Sequence, residues 1–291
     1  MARVWQRLMT LGRQPRMLVS VAVLMGLLAV YAVAFGQVRG AEAHLTRQQF
    51  IISGSVPTPV LRLSPTVPQG NVIAIIVHGY SGSKELMIGF GIALAHSGIP
   101  SYLLDLPGHG ASAVPFATTT VDNRNPQLET ALAEVVDYAR AHSAVAQPQI
   151  MLIGHSLGTQ VVGEYVLHQP TSAIAATVLI SPVLADLPTI TQPANLLIMY
   201  GEHDLAGIIP LAHQLFVAGC AGQSSSDSPG ADNAFQACGV AGGGAARRLA
   251  VIPGANHITI LTDARSYWQI QQFIGATFGG ASAYDPRADD G

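Results

Sequence analysis

The chain has 291 residues, 49% of them apolar and only 11% charged, whereas soluble domains average about 25% charge. That balance argues against a disordered chain, and a net charge of −3 argues against a nucleic-acid partner, because no basic surplus exists to neutralise phosphates. Two cysteines make neither a zinc-site spacing nor a dense disulfide framework. The length allows one large domain or two small ones with a sizeable core. The mean hydropathy of +0.37 is high for a soluble domain, and the first forty residues explain part of it.

Residues 1–16 contain Arg3, Arg7, Arg13 and Arg16 and no acid. Residues 17–35 then form an uncharged, mostly aliphatic run interrupted only by Ser20, Gly26 and Tyr31. Nineteen residues at a rise of ~1.5 Å come close to the ~30 Å hydrocarbon thickness of a bilayer. The expectation is a basic cytoplasmic segment over 1–16, a transmembrane signal-anchor over 17–35 and a linker over 36–47. Positive-inside places the remainder of the chain outside the cell membrane. A cleaved signal peptide is the rival, since 41–43 and 32–34 both have a small–x–small shape. Its apolar core usually runs about 7–15 residues, however, and this one is longer. From residue 44 onward nine basic residues face sixteen acidic ones, a balance of −7. Cys220 and Cys238 bracket a Gly/Ser/Asp/Ala-rich stretch, and an oxidising compartment would permit a disulfide across it; two unpaired thiols are the alternative.

From residue 48 short β-rich runs alternate with helical patterns. Strands are expected at 48–53, 60–63, 72–77, 101–105, 149–153, 177–180, 195–200 and 249–252. Helices are expected at 84–97, 127–142, from 157 to before Pro170, and at 266–278. The run 72–77 is continuously apolar, as in a strand covered on both faces. This alternation predicts an α/β fold with a mostly parallel sheet and helices on both faces. Residues 219–246 carry no apolar periodicity and read as a flexible insertion, and 279–291 as a frayed tail.

Directly after the strand at 149–153 stands Gly154-His155-Ser156-Leu157-Gly158. A nucleophilic serine must project from a tight strand-to-helix turn, where glycines two before and two after remove side chains that would collide. The helix beginning at Leu157 then aims free amides at developing negative charge. A serine helix cap in a Gly-rich turn is the plainer alternative. Four other segments accompany the elbow: His78-Gly79-Tyr80, Asp105-Leu106-Pro107-Gly108-His109-Gly110, Gly201-Glu202-His203-Asp204 and Gly254-Ala255-Asn256-His257. In this order and context, residues from about 70 to 278 resemble the α/β-hydrolase superfamily, in its esterase/lipase-like serine hydrolase branch. The catalytic domain is accordingly expected over 48–278.

The serine needs a base. His44, His142 and His168 fall at linker or helix-end positions, His96 and His213 within helical stretches, and His155 on the turn itself pointing elsewhere. The resemblance gives His109 a structural role. His257 remains, in a loop at the carboxyl edge of the sheet where ligand sites form, and the family pattern places its histidine there. Asp204 matches the family's acid position, with Asp186 and Asp105 as competitors; the order Ser156…Asp204…His257 is that of the fold. Donors for the oxyanion are expected at the N–H of Leu157 and, by the resemblance, of Tyr80. Ser81 and Ser83 read as caps of the following helix.

Only about a dozen residues join the strands ending at Ile180 and starting at Asn195, which is short for the helical lid of long-chain lipases. No metal-ligand cluster and no G-x-G-x-x-G after a strand is seen, so no cofactor is indicated. The resemblance implies a small-molecule ester or acyl substrate hydrolysed through an acyl-enzyme; a peptidase, an amidase or an acyltransferase on the same triad, or a silent binding protein, are the alternatives.

Overall fold

The computed structural model describes residues 15–42, 45–116, 121–170, 173–183, 195–219 and 247–279. They fall into two compact units, Met1–His44 and Leu45–Gly291. Among the described residues the first contains one helix, α1 (Pro15–Glu42). Its stretch Leu18–Gly36 has a mean hydropathy of 2.5 and is long and apolar enough to cross a membrane. The helix outruns the apolar run and continues into the segment expected as a linker.

The second unit is built on eight strands: β1 (Leu45–Ile52), β2 (Thr58–Pro65), β3 (Val72–Val77), β4 (Ser101–Leu104), β5 (Gln149–His155), β6 (Ala176–Ile180), β7 (Leu196–His203) and β8 (Arg247–Asn256). They lie in the order β1-β2-β4-β3-β5-β6-β7-β8. The first two pair antiparallel and β2 meets β4 antiparallel, while every pairing from β4 to β8 is parallel. Chain order reverses beside β3, so the carboxyl ends of β3 and β5 border a topological switch point, where open α/β sheets form their sites. The edge strand β1 exposes Thr46, Arg47, Gln48 and Gln49, polar side chains that discourage further pairing.

Helices cover both faces. These are α2 (Ile88–His96), α3 (Val121–Ala141), α4 (Leu157–Leu167), α5 (Ile208–Gly219) and α6 (Ala264–Phe278). Alternation along β3 shows why its sequence is continuously apolar. Ile73, Ile75 and Val77 enter a core with Leu132 and Val136 of α3, Val162 of α4 and Leu215 of α5. Ala74 and Ile76 enter the opposite core with Phe90 and Leu94 of α2 and Ile270 and Phe273 of α6. The fold class read from the sequence is therefore the one observed.

Boundaries moved where punctuation misled. The helix expected over 84–97 opens as a 3-10 turn, Lys84–Met87, before α2. Pro126 lies inside α3 as its sixth residue, where it forgoes one i→i−4 hydrogen bond without ending the helix, so that helix begins six residues earlier than expected. Strand β8 runs through Pro253 and Gly254 because it is an edge strand, with one side free of ladder obligations. Helix α5 was signalled only through His213.

Candidate active site

Ser156 occupies the turn between β5 and α4 with φ 51° and ψ −121°, a conformation costing a non-glycine residue about 1–3 kcal/mol. Its surroundings hold it there. A Cβ at Gly154 would overlap the carbonyl oxygen of Gly158, and one at Gly158 would overlap that of Val77, so only glycine fits either position. The Ser156 N–H donates to Ile180 O at 3.0 Å. Its carbonyl accepts from the Thr159 N–H at 2.8 Å and the Thr159 hydroxyl at 2.6 Å.

Asp204 follows β7 and is buried. Its carboxylate accepts from the Ser181 hydroxyl at 2.5 Å, the Leu205 N–H at 2.8 Å and the Gly201 N–H at 3.3 Å. The fourth partner is His257 Nδ1, 2.8 Å from Asp204 Oδ1. Burial alone would raise this carboxyl, but the bonds from His257, Ser181 and the two amides outweigh it and hold it below the ordinary carboxylate range. A carboxylate only accepts, so Nδ1 of His257 carries the proton and Nε2 presents a lone pair. That lone pair lies 3.0 Å from Ser156 Oγ.

The loop bearing His257 is braced from within. Asn256 Oδ1 accepts from the N–H groups of Ile258 and Thr259 at 2.9 Å each, and the Asn256 N–H donates to Thr259 Oγ1 at 2.8 Å. Glu202 fastens the other end by accepting from Gly254 N at 2.8 Å.

Of the residues expected as oxyanion donors, Leu157 directly follows the serine, and Tyr80 follows a glycine packed against it. Leu157 is the first residue of α4, so its N–H has no partner within the helix. Gly79, just before Tyr80, lies so close to the elbow that a Cβ there would stand 2.9 Å from Ser156 Cβ and 2.8 Å from His155 Nδ1. The Tyr80 side chain is exposed and meets His109 and Phe116 edge-on, with ring centroids 5.5 and 5.7 Å away.

Of the rival acids, Asp105 is committed elsewhere: it accepts from the Lys84 N–H at 2.8 Å, Lys84 Nζ at 2.5 Å and the Ala111 N–H at 2.8 Å. Asp186 lies outside the described residues, as do Cys220, Cys238, the expected insertion beyond Gly219 and the tail beyond Gly279. Ser83 takes the cap position of the 3-10 turn, but its side chain makes no capping bond, and Ser81 sits at φ 57°. Among the described residues no group of His, Cys, Asp or Glu side chains could hold a metal ion.

The sequence reading missed Ser181 and Thr159, and took His155 as pointing away from the site. Its ring instead reaches the loop of His257, with Nε2 2.9 Å from the His257 carbonyl oxygen. Ser181 directly follows β6, at the sheet edge that also bears Ser156 and Asp204, but a lone hydroxyl after a strand carries no signal of its own in the sequence.

A family model described as the alpha/beta hydrolase fold matches residues 74–207, a span that includes Ser156 and Asp204. No curated protein sequence matches the chain significantly. Solved structures agree with the fold. An alpha-beta serine hydrolase homologue from Coxiella burnetii superposes with a TM-score of 0.56 at 17% identity, covering 80% of this chain and 97% of that one. An a/b serine hydrolase without lid from Xanthomonas campestris gives 0.55 at 19%, covering 80% and 93%. A dienelactone hydrolase from Anabaena variabilis gives 0.52 at 15%, covering 81% and 97%. The matched segment, the sheet that continues beyond it to β8, and these superpositions together show that the chain has the alpha/beta hydrolase fold.

Proposed function

We propose that the chain is a serine hydrolase that cleaves carboxylic esters through an acyl-enzyme, with Ser156 as nucleophile, His257 as general base and acid, and Asp204 as its orienting acid. The observation that carries this reading is the relay from Asp204 Oδ1 to His257 Nδ1 at 2.8 Å and from His257 Nε2 to Ser156 Oγ at 3.0 Å. Ser156 Oγ attacks the ester carbonyl carbon while its proton passes to Nε2. Asp204 stabilises the imidazolium that results. The oxygen of the tetrahedral intermediate turns toward the N–H groups of Leu157 and Tyr80; donors so placed are worth about 10²–10³ in rate each. His257 then protonates the departing alkoxide, takes a proton from water, and returns it to Ser156 as the acyl group leaves. The solved structures described as serine hydrolases and as a dienelactone hydrolase support hydrolysis of a small molecule.

The same reading keeps Leu18–Gly36 as an uncleaved anchor with its arginine-rich end in the cytoplasm and the catalytic unit outside the membrane. Its support is the length of the apolar helix and the basic residues before it. Mass spectrometry of the membrane fraction checks it: a chain beginning near residue 44 would replace the anchor by a cleaved signal.

A fluorophosphonate probe tests the chemistry. It is expected to label the wild-type chain and not Ser156→Ala, and a folded wild type that resists labelling would sink the proposal. A panel of acyl esters of increasing length beside aminoacyl amides tests the bond cleaved. Faster turnover of amides than of esters would replace the esterase by a peptidase or amidase on the same triad.

A further inference from the structure

A histidine that touches no reacting atom ties the nucleophile's turn to the base's loop. His155 is the residue immediately before Ser156, and its side chain is buried. Its Nε2 stands 2.9 Å from the carbonyl oxygen of His257, and the two rings are 5.0 Å apart between centroids. A carbonyl only accepts, so Nε2–H donates and the tautomer is fixed. Gly79 closes over the same ring, where a Cβ would come within 2.8 Å of Nδ1. The contact closes a loop of bonds: His155 and Ser156 are neighbours in the chain, Ser156 Oγ meets His257 Nε2, and the His257 carbonyl returns to His155.

Two contacts therefore join the elbow to the loop, and they differ in what the reaction does to them. The Oγ–Nε2 hydrogen bond is consumed when the proton moves and Oγ becomes acylated. The bond between His155 and the His257 carbonyl involves no atom that reacts. Within its own loop His257 is braced by local bonds of Asn256 and Thr259, and Glu202 holds Gly254 at the start of the loop; none of these bonds reaches the elbow.

We propose that His155 is a positioning residue that clamps the backbone of His257 against the elbow, holding Nε2 at attack distance from Oγ through both acylation and deacylation. The inference rests on the triad reading given above. Burial lowers the His155 imidazole to about 4, against the milder upward pull of its bond to His257. The ring is thus neutral at working pH and adds no positive charge beside the imidazolium that His257 becomes.

The test compares His155→Leu and His155→Gln in the full-length chain. Leucine fills the buried space without a donor, and glutamine restores an N–H at about the reach of Nε2. Active sites are titrated by the burst of a p-nitrophenyl ester, and rates are expressed per active site. For His155→Leu we expect kcat and the fluorophosphonate labelling rate to fall about 10- to 100-fold, as for other small misplacements of reacting groups, with KM near wild type. Glutamine should recover most of that loss. A packing role alone would lower the melting temperature or the fraction of active sites and leave the rate per site untouched. Leucine at the wild-type rate per site, or glutamine no better than leucine, would overturn the clamp while Ser156-dependent labelling still upheld the triad. Loss of that labelling in the wild type would overturn both.

Discussion

Two histidine–aspartate clusters stand at the carboxyl edge of one sheet, and they are wired for opposite ends. After β3 and β4, His78 donates Nδ1–H to Gly79 O at 2.7 Å and accepts the Leu106 N–H on Nε2 at 3.1 Å. Beside it the carboxylate of Asp105 is paired with buried Lys84. Every nitrogen of that histidine is committed to backbone, and the acid faces a cation. After β5, β7 and β8, by contrast, Asp204 is surrounded by neutral donors, and His257 keeps one nitrogen for a serine. A carboxylate neutralised by lysine organises a turn; one held only by hydroxyl, amide and imidazole donors keeps its charge for the histidine beside it. The difference lies in the partners of the acid and not in the presence of a histidine nearby.

Exchanging each acid for its amide should separate the two clusters most widely. Asp204→Asn would favour the wrong tautomer of His257, and a comparable change in a serine protease lowers kcat about 10⁴-fold; the expected outcome here is a similar fall in ester turnover with a melting temperature within a few degrees of wild type. Asp105→Asn should do the reverse. It takes from buried Lys84 the nearer of its two carboxylates and leaves Glu85 at 3.1 Å, a loss of about 1.5–3 kcal/mol, read as a lower urea midpoint, while the folded fraction retains most of its turnover. If Asp105→Asn proved the slower enzyme per active site, the assignment of the two acids would be reversed.

Each cluster also buries one histidine against its ordinary protonation, and there the two should behave alike. Burial lowers His78 and His155 to about 4 from 6.5. Between those values the unfolded chain binds a proton that the native state refuses. Stability is therefore complete above pH 6.5 and falls as pH drops toward 4, by about 3 kcal/mol for each histidine. Urea midpoints measured from pH 7.5 to 4.5 should show this slope, and His78→Gln should remove roughly half of it. A flat profile in the variant and the wild type alike would mean that neither ring is held neutral.

The sequence marked the cluster of Asp204 and His257 more clearly than that of Asp105 and His78, for a physical reason. Gly154 and Gly158 stand where any Cβ would strike backbone, and a requirement of that kind is written directly as residue type at fixed spacing. Continuous apolar runs such as 72–77 likewise announced strands covered on both faces. Ser181 left no such mark, because one hydroxyl at the end of a strand looks like any other until the chain is folded. His155 was misread because the residue before the nucleophile was judged by the tightness of its turn, whereas a loop 102 positions away supplies its partner. The expected helix at 127–142 and strand at 249–252 stop short of Pro126, Pro253 and Gly254, whereas the helix runs through the first and the edge strand through the other two.

The finest test within the Asp204 cluster concerns Ser181, whose hydroxyl holds Asp204 Oδ2 at 2.5 Å and leaves Oδ1 to face His257. Ser181 has φ 50°, so removing its hydroxyl and relaxing its backbone are separable changes. Ser181→Ala deletes a bond to a charged group worth about 1.5–3 kcal/mol and retains the unfavourable backbone. Ser181→Gly deletes the same bond but adopts positive φ readily. If the hydroxyl aims the carboxylate, both variants should lose about tenfold in kcat at constant KM, the part of that bond energy realised in the transition state. Their stabilities should differ, with the glycine variant the less destabilised by up to about 1 kcal/mol. Rates that followed stability instead, with glycine faster than alanine, would make Ser181 a support of the turn and leave the orientation of Asp204 to the amides of Gly201 and Leu205.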